Sequence, residues 1–103
     1  MAVAFKETKY FWQEQLDPKS IRLGLTPEAQ DELGRVKFVE LPMVGELALG
    51  DTLVAVEAEK AVLDLPTPVA GKVTAVHTEI SDDPELMNSQ KHQDNWIADL
   101  LVD

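Results

Sequence analysis

Residues 56–71 read VEAEKAVLDLPTPVAG. Two alternating runs meet here. Val56 leads into Glu57-Ala58-Glu59-Lys60, and Ala61-Val62-Leu63-Asp64-Leu65 leads away toward Pro66 and Pro68. Alternation of apolar and polar residues marks a half-buried strand, and proline ends one. The chain must therefore reverse near Lys60. Yet no Gly, Asn or Pro marks the reversal, although tight hairpins favour those residues. A hairpin tip whose lysine stands beside Glu57 and Glu59 is the feature that decides the fold.

Period-two patterning spreads outward from that tip. Gly71–Val76 reads as a strand, with Val73 and Ala75 opposed to Lys72, Thr74 and Val76. Thr52–Val56 follows a Gly50-Asp51 turn. Further upstream, Val36, Phe38 and Glu40 point one way, and Lys37, Val39 and Leu41 the other. Pro42 and Gly45 bracket a turn. Thr26-Pro27-Glu28 opens a helix: Thr caps, Pro fits the first position, and Gly34 ends it after roughly two turns. Ile21, Leu23 and Leu25 form a strand after an Asp17-Pro18-Lys19-Ser20 turn. Tyr10-Phe11-Trp12 starts a strand or covers one end of the core. Pro84-Glu85-Leu86 begins a short helical piece, residues 88–95 read as a polar loop, and Trp96–Leu101 closes the fold with Trp96 as its anchor.

One echo recurs at an offset of 37 residues: Gly34-Arg35-Val36-Lys37-Phe38-Val39 against Gly71-Lys72-Val73-Thr74-Ala75-Val76. Two quasi-equivalent halves packed as small sheets are expected from it.

The length of 103 residues fits one domain over residues 1–103. Aromatics are 6% of the chain, so Val, Leu and Ala carry the core. Nineteen acidic against nine basic residues give a net charge of −10. That disfavours nucleic acid and anionic membranes as partners, and favours basic ones. Solubility alone accounts for it equally well. There are no cysteines, so thiol chemistry, disulfides and Cys-type zinc sites are excluded, and any redox chemistry must come from something attached. No run of 18 apolar residues and no signal or transit pattern is present, so a cytoplasmic protein is expected.

No self-contained catalytic apparatus is visible. Ser20, Ser81 and Ser89 lack a nucleophile elbow. His77 and His92 sit in acidic loops without partners at metal-ligand spacing and read as surface residues. Asp82-Asp83-x-Glu85 lacks calcium-loop spacing and reads as a solvated charge run. Lys60 remains. A rigid, protruding tip makes a lysine a handle for another enzyme. An ordinary lysine titrates near about 10.4, so that enzyme must take up the proton. The bland alternative is a solvent-exposed hairpin lysine.

Glu57-Ala58-Glu59-Lys60-Ala61 followed by Pro66-Thr67-Pro68-Val69-Ala70-Gly71-Lys72-Val73 resembles the lipoyl-attachment region of the glycine cleavage H-protein family. So do Leu25-Thr26, the segment Leu33-Gly34 to Val44-Gly45, Asp83-Pro84-Glu85-Leu86-Met87-Asn88-Ser89, and Trp96. The resemblance runs from about Ile21 to Leu101. It implies a mainly β barrel-sandwich hybrid of the lipoyl-domain kind, with pseudo-twofold halves and one or two short helices. It implies that Lys60 is acylated with lipoate by a lipoate–protein ligase, and that Glu57 and Glu59 help partners recognise the arm. Lysine and lipoyl chains in series reach on the order of 10–15 Å. In that family the arm takes an aminomethyl group from glycine decarboxylase, passes it to an aminomethyltransferase and is reoxidised by dihydrolipoyl dehydrogenase. The carrier itself catalyses nothing, and a monomer is expected.

The sequence departs from the family pattern in places. Glu59 replaces a small residue or valine, and Thr26-Pro27-Glu28-Ala29 replaces Thr-Asp-Tyr-Ala. The N-terminal part matches poorly, and the family's C-terminal helix has no counterpart before Asp103. These departures resemble short bacterial H-like carriers linked to a sirtuin and a macrodomain enzyme that write and erase ADP-ribose. On that resemblance Asp31 is the candidate acceptor, against the plainer reading of a helix-surface carboxylate. Two other classes stay open: an unmodified interaction module, and a biotin carrier, whose Met-Lys-Met tip Glu59-Lys60-Ala61 does not match.

Overall fold

The Tyr10-Phe11-Trp12 run does start a strand. In a computed structural model, which describes residues 5–102, strands β1 (Phe5–Glu7), β2 (Phe11–Asp17) and β3 (Ser20–Leu25) form an antiparallel meander. The turn into β3 is held by Asp17, whose Oδ1 accepts from the Lys19 N–H at 2.9 Å. That bond holds the Asp17 carboxyl below its ordinary value. Ile21, Leu23 and Leu25 are buried, as their alternation requires. Gly24 lies opposite Trp12, and a Cβ there would overlap the indole ring, so glycine makes room for the largest buried side chain.

Helix α1 (Pro27–Leu33) follows with the expected caps: Thr26 Oγ1 accepts from the Ala29 N–H at 3.1 Å, and Pro27 is its first residue. Ala29 and Leu33 face the core. Strands β4 (Val36–Glu40), β5 (Gly45–Leu47), β6 (Thr52–Ala58), β7 (Val62–Pro66) and β8 (Gly71–Val76) come next. One-turn helix α2 (Glu79–Asp82), a 3-10 helix (Pro84–Asn88), one-turn helix α3 (His92–Asn95) and β9 (Trp96–Leu101) complete the described chain. Residues 88–95 are thus partly helical rather than a loop. The described residues hold more short helical pieces than the one or two expected, although only α1 and the 3-10 helix exceed about one turn.

The strands form two sheets, β1-β2-β3-β9-β8-β5 and β4-β6-β7. Their pairing is quasi-twofold. Strands β3, β4 and β6 correspond to β7, β8 and β9. The second of each trio pairs with the third (β4 with β6, β8 with β9), and the third pairs with the first of the other trio (β6 with β7, β9 with β3). The 37-residue echo falls on β4 and β8. Both strands are irregular at the matching place, between Val36 and Phe38 and between Val73 and Ala75. An extra residue in one strand throws the following side chains onto the other face. Strict alternation therefore fails twice. Phe38 points outward rather than following Val36 inward, and Val76 packs on the core rather than opposing Val73.

Trp96 is not the buried anchor that the sequence suggests. The buried tryptophan is Trp12, whose Nε1 donates to Asn95 Oδ1 at 2.7 Å. Trp96 is half-buried. It stacks on His77 at 4.4 Å between ring centres, and the Arg22 guanidinium lies 4.0 Å from its ring centre. Arg22 also grips Asp99, its cross-strand neighbour, through two bonds of 2.7 and 3.1 Å; that carboxylate raises the guanidinium's affinity for its proton. The two histidines are not plain surface residues either. His77 is buried with Nδ1 2.7 Å from the Trp96 carbonyl, and half-buried His92 stacks on Trp12 at 4.0 Å. These stacked aromatic pairs supplement a core built mostly of aliphatic side chains.

Candidate functional site

Strands β6 and β7 are joined by a short tip centred on Glu59-Lys60, where the Ala58 N–H donates to the Ala61 carbonyl at 2.9 Å. Among the described residues no non-glycine has positive φ, so the tip does not use the mirror-image turns that call for Gly or Asn. Its stability comes from outside the hairpin. The Glu59 N–H donates to the Arg35 carbonyl and the Lys60 N–H to the Leu33 carbonyl, each at 2.9 Å. The Glu59 carboxylate accepts the Arg35 N–H at 3.2 Å. The tip is thus bonded to the junction between α1 and β4. This is why the reversal carries no turn residue, and why Glu59 sits next to the lysine. The rigid tip expected from the sequence is held not only by its strands but also by this docking.

The Lys60 side chain is exposed, but it follows the protein surface. Its stem runs over Gly34, where a Cβ would lie 3.1 Å from Cγ and 3.4 Å from Cδ. Gly34 adopts φ 74°, ψ −157°, a region essentially reserved for glycine. Lys60 Nζ then donates to the Asp31 carbonyl at 3.1 Å. The last carbonyls of a helix lack intrahelical donors and carry partial negative charge. Lys60 therefore serves α1 twice, through its ammonium and through its backbone N–H.

Asp31 is exposed and is one of the residues lining an open cleft of about 510 Å³ between α1 and the 3-10 helix. The cleft walls are fixed by polar bonds. Gln30 Nε2 donates to the Met87 and Ser89 carbonyls at 2.8 and 2.7 Å, Asn88 Oδ1 accepts the Val36 N–H at 2.8 Å, and Arg35 Nε bonds Glu85 Oε1 at 2.6 Å. Glu57 is exposed on the outer face of β6, between Phe38 of β4 and Val62 of β7. The structure so brings Lys60, Glu59 and Asp31 together and sets Glu57 apart on the sheet. Among the described residues, no three His, Asp or Glu side chains form a group that could hold a metal. Asp82, Asp83 and Glu85 are solvent-exposed.

The arrangement offers chemistry of one kind: a primary amine at the end of a fixed hairpin, approachable by a second protein. The glycine cleavage H-protein profile matches residues 4–103. The chain belongs to the glycine cleavage H-protein family. A probable glycine cleavage system H protein of Halobacterium salinarum is 47% identical over 91 residues, covering 87% of this chain and 73% of that one. A glycine cleavage system H protein of Listeria monocytogenes is 46% identical over 85 residues, covering 82% and 68%. The crystal structure of a glycine cleavage system H protein from Mycobacterium marinum superposes with a TM-score of 0.82 at 27% identity, covering 95% of this chain and 82% of that one. The fold is thereby the barrel-sandwich hybrid of lipoyl domains. The structure also gives two residues near the tip a part that the sequence reading did not assign them. Gly34, read as a helix stop and as the start of the echo, is the surface on which the Lys60 stem rests. Phe38, read as pointing the same way as Val36, is an exposed ring one strand away from Glu57.

Proposed function

We propose that this chain is a lipoyl carrier of glycine cleavage, modified on Lys60, acting in the cytoplasm as a substrate and shuttle for other enzymes rather than as a catalyst. The observation that carries the reading is the Lys60 amine, exposed at a hairpin tip whose backbone is pinned by the α1–β4 junction. H proteins carry lipoate covalently on a lysine, and the relatives named above support glycine cleavage as the system served. The residues fit that group: the amine is accessible, and nothing in the tip blocks its approach to a second protein. When attached, lipoate supplies a disulfide that is reduced as it takes up a group and reoxidised afterwards. The chain's own part is mechanical. Five residues of β7 and seven of β6 fix where the arm starts, and bonds from Glu59 and Lys60 fix its direction. The partners on this reading are a lipoate–protein ligase, glycine decarboxylase, an aminomethyltransferase and dihydrolipoyl dehydrogenase. Intact mass and peptide mapping of the protein from its native host test it. A lipoyl mass on Lys60 is expected; an unmodified Lys60 under lipoate-replete conditions would sink it.

A second reading is supported by one observation. Asp31, whose carbonyl holds the Lys60 amine, is exposed and lies among the residues lining the 510 Å³ cleft. That placement suits Asp31 as an ADP-ribose acceptor for a sirtuin-type enzyme, with a macrodomain enzyme removing the mark. Its carboxylate would displace nicotinamide from NAD. Incubation with such an enzyme and NAD should add an ADP-ribosyl mass that Asp31→Asn abolishes; an equal gain in the Asn variant would remove Asp31 from the reading.

A further inference from the structure

We propose that the outer face of the β4-β6-β7 sheet is the surface by which the enzyme that acylates Lys60 recognises this chain. The inference rests on the reading of Lys60 as the attachment lysine.

The face is built in two cross-strand rows. Phe38, Glu57 and Val62 form the row next to the tip, and Glu40, Ala55 and Asp64 the row behind it. The inner faces of the same strands bury Val54, Val56 and Leu65. On the outside, Phe38 is 65% and Val62 72% exposed, and Met43 and Val44 extend the apolar surface beyond the second row at 86% and 64%. Single exposed apolar residues are ordinary; here Phe38 and Val62 flank Glu57 and line one groove with it, and such grouped exposure marks interaction sites. Phe38 points outward because the chain is irregular at Lys37, and that exposure brings the core nothing.

The acids set among these apolar residues state the chemistry of the occupant. Two shallow grooves, of about 360 and 550 Å³, share Glu40, Ala55 and Asp64, and between them they are also lined by Glu57 and Glu46. Neither is lined by Lys or Arg. The matching surface intersperses apolar side chains with arginine and lysine, which attract these acids and orient the encounter.

The acylating enzyme is the partner that needs this face. Enzymes acting later can hold the arm itself. The acylating enzyme meets a bare amine, and Lys9, Lys19, Lys37, Lys72 and Lys91 are all exposed as well. Only the surroundings distinguish Lys60 from them. Val62 lies two residues from Lys60, so a protein seated on Phe38 and Val62 has the amine at the edge of its footprint. In the reaction lipoate is activated by ATP as the adenylate, with release of pyrophosphate. Lys60 Nζ gives up a proton to the enzyme and attacks the lipoyl carbonyl; an amide forms and AMP leaves.

The test uses the full chain, the lipoate–protein ligase of the same organism, lipoate and ATP, with intact mass read over time. Phe38→Ala and Val62→Ser are each expected to lower kcat/KM about tenfold or more, the scale of a truncated interface anchor, with kcat nearly unchanged. The Kd of ligase for the unreactive Lys60→Arg protein should weaken by the same factor when Phe38→Ala is added, and should weaken with salt. Glu57→Lys should reduce the rate and flatten that salt dependence. Leu16→Ser, an equally apolar exposed site on β2, is the control and should acylate as wild type does. Melting curves confirm that each variant is folded, and Phe38→Tyr serves as a milder substitute if Phe38→Ala is not. Normal acylation of the Phe38 and Val62 variants would overturn the proposal while leaving Lys60 as the attachment site. Wild-type protein that is never acylated would instead overturn the attachment reading. A wild-type dimer that Phe38→Ala dissociates, with acylation unchanged, would assign the face to a second copy and overturn the proposal too.

Discussion

Lys60 closes the helix that carries Asp31: its ammonium donates to the Asp31 carbonyl at 3.1 Å while its backbone N–H takes the Leu33 carbonyl at 2.9 Å. The residue proposed for modification is therefore part of the scaffold before any modification occurs. Acylation would leave one N–H on the nitrogen and remove the charge, so the helix end would lose its cation but not its backbone bond.

Replacing Lys60 by Arg should keep a donor near Asp31 and leave the melting temperature close to wild type, since exposed charges at helix ends contribute roughly 0.3–1 kcal/mol. The same variant should gain no lipoyl mass with ligase, ATP and lipoate. A lipoylated Arg variant would move the attachment elsewhere.

Gly34→Ala should cost about 1–3 kcal/mol, because φ 74° with ψ −157° is essentially closed to other residues. The added Cβ would also press on the Lys60 stem, 3.1 Å from Cγ. Chemical denaturation reads the first effect and ligation rate the second. Wild-type stability in this variant would show that the helix end rearranges freely.

The two tryptophans should behave differently. Trp12→Ala should lose about 3–5 kcal/mol, as expected for a buried large aromatic. Trp12→Phe should still cost roughly 1–3 kcal/mol, because buried Asn95 would lose the donor it holds at 2.7 Å. Trp96→Ala, at a half-buried plate between His77 and Arg22, should cost clearly less than Trp12→Ala. Equal losses in denaturant titrations would contradict the assignment of the core.

Asp17 should titrate below its ordinary value of 3.8, since the Lys19 N–H stabilises its carboxylate in the folded state. Between the folded and unfolded values the unfolded chain binds more protons, so stability rises with pH there. The contribution is complete above the unfolded value and is lost as pH falls through the folded one. Carbon NMR of the carboxyl should place the midpoint below 3.8, and Asp17→Asn should flatten the acid limb of stability. A midpoint at or above that value would remove the hydrogen bond as its cause.

Much of this was legible in the sequence for identifiable reasons. Thr26, Pro27 and Gly34 are local signals, and α1 has the caps they specify. Gly71–Val76 begins and ends where its pattern says. The reversal at Glu59-Lys60 is legible because the flanking alternation fixes where the chain must turn. The misreadings share another origin. Alternation counts residues, and an irregular pair at Lys37 or Thr74 shifts the count without any signature of its own. Trp12 and Trp96 could not be ranked from the chain alone, because the space for Trp12 is made by Gly24 on a neighbouring strand. His77 and His92 looked solvated because their loops are acidic, whereas their ring partners come from residues 19 and 80 positions away.

The exchange of strands between the two trios has a consequence for birth on the ribosome. Strand β3 has β2 beside it early, but its other edge waits for β9, and the Arg22–Asp99 pair spans 77 residues of chain. Until residue 101 has emerged, Ile21, Leu23 and Leu25 lack the strand that completes their sheet. Such long-range closure is slow compared with local pairing, and apolar strands left waiting invite wrong contacts. The β6-β7 hairpin has no such delay, since both its strands lie within residues 52–66. The segment bearing Lys60 can thus be paired while the rest of the barrel is still being synthesised. An acylating enzyme that requires the docked tip would nonetheless have to wait for α1 and β4 to settle against it, which makes modification a report on finished folding.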